Sequence, residues 1–473
     1  MSTKHSSCTA ILVGKKASLD GSTMIARNED GYGPINPKKF VVHAARASKG
    51  EVFTSPETGM VVPLPAHAYR YTAEPNYRPN DGFYEEAGIN EKNVAMSATE
   101  TTFTNPRVLG FDPLVLNGLN EEAMTTLVLP YIDSARAGVQ RLGDLIEKYG
   151  TGESNGIAFS DHDEVWYMET AGGHHWIAQR IPDDAYAIAP NQINIQEIDF
   201  DQPEQFMWST DLAKFVADHH LNAHPGHFNY RQIFGTHTES DAHYNTPRAW
   251  YGQRLFTPSV EQEPTSQEIP FIQHADRKLA VEDLQYFLSS HYQETPYDPF
   301  GKGTKEQKTT FRSIALDRNQ VSHILQIRNH VAPEYAGIQW IAMGFFAYSP
   351  YVPFFTNIND TPENYRNTTK AVDLDNAYWL YKSLGVLVEP HYHDFVEQIN
   401  EYRDACQAQV RNAVELTDQQ AAELSGAKLT DYLTQQNELA AAKITKNTKL
   451  LMDSLVKQSL NLSPITFEPG DNL

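Results

Sequence analysis

The stretch Ser7-Cys8-Thr9-Ala10-Ile11-Leu12-Val13-Gly14, with Asp20-Gly21-Ser22-Thr23-Met24-Ile25-Ala26-Arg27-Asn28-Glu29-Asp30 close behind it, reads as two strands joined by a turn. Thr9–Val13 is β-branched and apolar, Asp20-Gly21 carries turn chemistry, and Thr23–Asn28 returns. Pairing centred near Ser18 brings Cys8 level with the Arg27–Asn28 end of the second strand, where opposed Cβ atoms lie about 5 Å apart. A thiol then sits beside a guanidinium with Asp30 just beyond, and a cationic neighbour favours the thiolate that a nucleophilic cysteine needs. Read alone, the same hairpin also fits a small buried cysteine next to a strand-end ion pair.

Working outward, 473 residues suffice for a large core, arranged as two or three domains or as one large domain with insertions. The 38 basic against 60 acidic residues leave a formal charge of −22, which argues against nucleic acid and anionic membranes as partners. No apolar run approaches the ~20 residues of a membrane helix, and residues 1–7 lack the apolar core of a signal peptide. Two cysteines cannot build a disulfide framework, so a reducing cytoplasm is the expected compartment. Cys406 falls in a helical pattern with Phe395, Ile399, Tyr402 and Val410, which points to packing. Cys8 is left as the cysteine that needs a chemical explanation.

Residues 1–200 read mostly as strands and loops. Val61–Asp81 forms a long surface excursion, Glu86–Glu100 reads as a turn, a strand and a small-residue strand end, and Thr126–Tyr149 is one helix. The short apolar runs at 156–160, 164–169, 175–180 and 185–189 predict four strands of one antiparallel sheet. A helix is expected near Asp211–His219, a linker over Pro258–Pro270, and strands at Ser313–Asp317, His323–Ile327 and Ile338–Ala342. From Asp394 to about Leu460 the 3.6-residue period predicts helices, broken near Ser425-Gly426. Antiparallel strands with helices between them imply an α+β layered fold. No G-x-G-x-x-G, P-loop or G-x-S-x-G is present, so readings that depend on those motifs fall away.

Two chemistries compete with a nucleophilic Cys8. His237-Thr-Glu239-Ser-Asp241-Ala-His243 and His391-Tyr-His393-Asp394 gather metal-ligand types, but neither has H-E-x-x-H spacing, and His174-His175 in a strand would point to opposite sides. No metal and no cofactor is therefore expected. Papain- or caspase-type signatures surround neither cysteine. The position of Cys8 near the start of the chain has its own use. Removal of residues 1–7 would give Cys8 a free α-amine of pKa near 8, able to act as general base without a histidine.

Cys8 with Ala26-Arg27-Asn28-Glu29-Asp30 resembles the nucleophile and A-R-x-x-D segment of the cysteine-type N-terminal nucleophile hydrolases, which include penicillin V acylase and bile salt hydrolase. Gly88-Ile89-Asn90-Glu91-Lys92 with Ala95-Met96, Asn191 in Ala-Pro-Asn-Gln, and Arg248 in Asn245-Thr-Pro-Arg are similar to further motifs of those enzymes. From Cys8 to about Phe355 the order of segments resembles most the dipeptidase A branch of lactic acid bacteria, through runs such as Gly172-Gly-His-His-Trp-Ile-Ala and Ser290-His-Tyr-Gln-Glu-Thr-Pro-Tyr-Asp, with the secernins as more distant relatives.

The resemblance implies a four-layer αββα sandwich and a cysteine-type dipeptidase releasing free amino acids, with an acylase of non-peptide amides or a secernin-like binding protein as alternatives. It assigns Cys8 as nucleophile, Arg27 and Asp30 as its electrostatic setting, and Arg248 as their support. Asn191 and a backbone N–H near Thr99 would hold the oxyanion. Glu100, just past that strand end, is the candidate for the substrate ammonium. Asn28 and Glu29 depart from the acylase pattern, and the seven-residue leader must be removed to free the Cys8 amine. The expected organisation is a leader over 1–7, a catalytic domain with insertions over 8–393 and a helical region over 394–473. A homo-oligomer acting on dipeptides is expected.

Overall fold

The structure, a computed structural model, describes residues 8–465 apart from 32, 34, 79–81 and 225, so the leader expected over 1–7 lies outside the described residues. Two antiparallel sheets organise the chain. The strands of both are, in chain order, β1 (Thr9–Val13), β2 (Thr23–Asp30), β3 (Ala87–Ile89), β4 (Ala95–Thr101), β5 (Asn155–Ser160), β6 (Val165–Ala171), β7 (His175–Ile181), β8 (Tyr186–Ala189), β9 (Phe206–Trp208), β10 (Ile272–Gln273), β11 (Asn319–Ile327), β12 (Gly337–Met343) and β13 (Val352–Phe355). The seven-stranded sheet runs β10-β8-β1-β2-β11-β12-β13, and the six-stranded sheet runs β9-β7-β6-β5-β4-β3. The hairpin from which the sequence was read thus lies inside a sheet, with β8 and β11 on its flanks.

Alternation decides which side chains each face buries. Ile11, Val13, Met24 and Ala26 join one apolar cluster with Trp340, Tyr378, Cys406, Leu433 and Ile444. Ala10, Leu12 and Ile25 join a second with Ala87, Ile89, Ala158, Tyr167 and Ile177 of the six-stranded sheet. A third gathers Met96, Ile157, Phe159 and Trp166 with helical residues Leu127, Val139, Leu142 and Ile146. Arg27 and Ile25 share a strand parity, so the functional end of β2 opens toward the six-stranded sheet.

Three expectations need correction. The helix expected over Thr126–Tyr149 is two helices, α1 (Glu121–Val128) and α2 (Ala135–Tyr149), with a 3-10 turn at Leu129–Tyr131. Pro130 has no N–H to continue α1, and the Ser134 side chain starts α2 afresh by accepting from the Ala137 N–H. The four strands expected in one sheet divide, since β8 pairs with β1 in the other sheet. Ser313–Asp317 is not a strand: Arg312 donates to the Ser313 and Ile314 carbonyls at 2.7 and 3.1 Å, so side chains occupy acceptors that a ladder would need. After α3 (Ala377–Val388), the expected C-terminal helices are present as α4 (Tyr392–Ala421) and α5 (Gly426–Asn461), and Cys406 is buried among their contacts. Among the described residues no helix is long and apolar enough to cross a membrane.

Candidate active site

β1 and β2 pair with Thr9 opposite Asn28 and Ala10 opposite Arg27. Continued by one residue, that register sets Cys8 level with Glu29, one position beyond the Arg27–Asn28 level expected. Side chains alternate, so Cys8, Arg27 and Glu29 share one face, while Thr9, Asn28 and Asp30 share the other. The site is built on both faces of this strand end.

On the first face Arg27 is fully buried and every N–H of its fork has an acceptor. Nε donates to Ser97 Oγ at 3.2 Å, Nη1 to the Thr99 carbonyl at 2.7 Å and Glu29 at 2.5 Å, and Nη2 to Glu86 and the Ala98 carbonyl at 2.7 Å each. Nη1 also lies 3.1 Å from Cys8 Sγ, and the thiol donates to Glu29 Oε2 at 3.4 Å. Lys38 Nζ holds the other Glu86 oxygen at 2.7 Å. Glu100 Oε1 is 4.0 Å from Arg27 Nε, and Tyr167 Oη donates to Glu100 Oε2 at 3.3 Å. Tyr167 lies over Gly156, where a Cβ would stand 1.9 Å from its hydroxyl, so this contact needs glycine at 156.

On the second face Asp30 is held by Arg312 and by the Asn319 side-chain amide. Arg248 joins the faces. Its Nη1 donates to the Cys8 carbonyl at 2.5 Å and to Thr9 Oγ1 at 2.8 Å, and its Nη2 donates to Asn191 Oδ1 at 3.0 Å and Asn245 Oδ1 at 2.7 Å. Asn191 therefore presents its Nδ2, which is buried and has no hydrogen-bond partner. The structure thus brings Cys8, Arg27, Thr99 and Glu100 together on one side, and Asp30 on the other with Arg248, which reaches Asn191.

The electrostatics differ from those expected of the hairpin. Burial, then the facing Glu29 carboxylate, push the Cys8 thiol well above the usual thiol range, and Arg27 opposes them without prevailing; Asp30 and Glu121 add to the rise. Burial and the adjacent Glu86 raise Glu29 to about 8 despite Arg27. Burial likewise raises Glu100 to about 8. Glu86 stays below the usual carboxylate range, held there by Lys38 and Arg27 against its burial.

Sequence reasoning missed Glu86, Lys38, Glu121 and Arg312 as parts of this site. None has a local pattern: each reaches it from a separate segment. Glu29 carried a usable signal, because residues 27 and 29 must share a face in any strand. Thr238 and Asp241 form the cap of the helix Glu239–Tyr244, and His391 stays 4.0 Å from Asp394. His174 and His175, expected on opposite sides, both place Nδ1 on Asp112, at 2.9 and 2.7 Å, because His174 lies in the turn before β7.

Comparison with known proteins decides the family. The model of Peptidase family C69 matches residues 7–405. The chain belongs to Peptidase family C69. A probable dipeptidase of Latilactobacillus sakei is 50% identical over 99% of this chain and 98% of its own length. A probable dipeptidase B of Lactococcus lactis subsp. lactis is 46% identical over 97% of each chain, and dipeptidase A of Lactobacillus helveticus 44% over 98% of this chain and 99% of its own. Family C69 membership makes the protein a peptidase.

Proposed function

We propose that this C69 member is a cysteine dipeptidase with Cys8 as nucleophile. Relatives named as dipeptidases match almost the full chain, and the observation that carries the site is Arg248, which bridges the Cys8 carbonyl and Asn191 Oδ1 and leaves Asn191 Nδ2 free. In this reading residues 1–7 are removed and the Cys8 α-amine accepts the thiol proton. Sulfur adds to the carbonyl carbon of the first residue. The C–N bond then breaks, the proton passes to the leaving amine, and a thioester remains. Water adds to the thioester as the Cys8 α-amine takes its proton, the C–S bond breaks, the proton returns to sulfur, and the first amino acid leaves. Asn191 Nδ2 and the Thr99 backbone N–H hold the oxyanion at both additions. Arg27 and Asp30 fix the charges around sulfur and amine, and Arg248 fixes the Cys8 backbone.

A preorganised oxyanion donor is worth about 3 kcal/mol in the transition state, so Asn191→Ala lowers kcat about a hundredfold or more with KM little changed. A rate within about threefold of wild type removes Asn191 from this role.

The three apolar clusters support an αββα layering of helices outside the two sheets. A catalytic unit over 8–393, a separate C-terminal region from 394 onward, a cytoplasmic location and a homo-oligomer complete the proposal. Mass of the purified chain tests the leader, and light scattering tests the assembly.

A further inference from the structure

The substrate's own geometry limits where its charged end lies. In a dipeptide the α-nitrogen is two bonds from the carbonyl carbon under attack, about 2.5 Å away, and that carbon waits about 3–3.5 Å from sulfur. The ammonium therefore falls within about 6 Å of Cys8 Sγ, whatever side chains the dipeptide carries. Glu29 Oε2 lies 3.4 Å from Sγ. Ligand atoms of Glu29, Glu86 and Glu121 lie within 4.8 Å of one another. The buried group holds Glu29, Glu86, Glu100 and Glu121 against Arg27 and Lys38, so acid is in excess. Glu86 is already paired at both oxygens, by Arg27 and Lys38. Glu100 Oε1 is buried and without a hydrogen-bond partner.

We propose that Glu29 binds the α-ammonium of the substrate, with Glu121 and Glu100 completing a carboxyl-rich pocket beside the nucleophile. The inference rests on the reading of Cys8 as a dipeptidase nucleophile. It gives first place to Glu29, because Glu29 lies within reach of the reacting carbon, and it keeps Glu100 as the second member. It also links recognition to chemistry. Burial first and the Glu29 carboxylate second oppose ionisation of Cys8, and an ammonium paired with that carboxylate offsets the second of these as the substrate arrives.

The test compares wild type, Cys8→Ala and Glu29→Gln on an unblocked dipeptide and on its des-amino counterpart, with iodoacetamide alkylation of Cys8 followed from neutral to alkaline pH. Wild type prefers the unblocked dipeptide by about a hundredfold or more in kcat/KM, as expected for a buried charge pair. In Glu29→Gln that preference shrinks to less than about tenfold, while Cys8 is alkylated at least as fast as in wild type. Retained preference overturns the proposal. Equal loss on both substrates with slower alkylation also overturns it, since Glu29 would then serve the thiol alone. Glu29→Asp, which keeps the carboxylate but shortens its reach, decides the matter if the Gln variant does not fold. The proposal requires the KM for the unblocked dipeptide to rise about tenfold or more relative to that for the des-amino substrate, and an unchanged ratio of the two overturns it. Wild-type dipeptide turnover that survives Cys8→Ala overturns the reading of Cys8 itself, and with it this inference.

Discussion

Cys8→Ala is expected to lower dipeptide hydrolysis by roughly 10⁴-fold or more, the scale seen when a catalytic nucleophile is removed, while a chelator leaves wild-type turnover unchanged. No second thiol can substitute. The remaining cysteine, Cys406, is packed in α4 among Phe395, Ile399 and Val410, and burial raises its pKa to about 11. The variant should fold, because Arg27 and Glu29, the hydrogen-bond partners of the lost sulfur among the described residues, remain bonded to each other. Near-wild-type turnover in Cys8→Ala that a chelator abolishes would move the chemistry to the carboxylates of Glu29, Glu86 and Glu121, which stand close enough to share a metal ion.

Arg27→Met is expected to have the largest effect on stability. Methionine replaces the stem of Arg27 but leaves Glu29 and Glu86 without their shared cation, and the Thr99 and Ala98 carbonyls without its N–H groups. Breaking one partner out of a buried ion pair costs about 3–5 kcal/mol. The sign of the pH dependence follows from Glu29. Its pKa is about 8 in the fold against an ordinary 4.5, so the folded chain holds the extra proton and this group destabilises the fold increasingly as pH rises from 4.5 through 8. Arg27 limits that rise, so its loss is felt more at pH 8 than at pH 5. Denaturant melts of both proteins at the two pH values check this. A penalty that is equal at both would mean that the lost hydrogen bonds, and not the charges, dominate.

Much of the fold was legible in local sequence because strand and helix signals are local. Thr9–Val13 is alone enough to place β1, since β-branched and apolar residues there end at Gly14. The helices after Asp394 followed from their 3.6-residue period, and their break followed from Ser425-Gly426. Local signals failed where a single residue redirects the chain, as Pro130 does, or where side chains take the carbonyls a strand would use, as Arg312 does. They failed also for the membership of β8, because its pairing with β1 depends on which sheet edge it reaches.

For the site, the sequence by itself determined that a thiol, a guanidinium and a carboxylate stand on one end of a hairpin, since pairing and alternation are properties of two adjacent segments. Resemblance added Asn191 and Arg248. Only the tertiary structure decided that Glu29 faces the thiol, that burial outweighs Arg27 and keeps the proton on sulfur, and that Glu86, Glu121 and Lys38 surround the same point. The physical reason is that charge and desolvation act through space. Their balance at Cys8 is set by groups tens to hundreds of residues away, and no pattern along the chain encodes it.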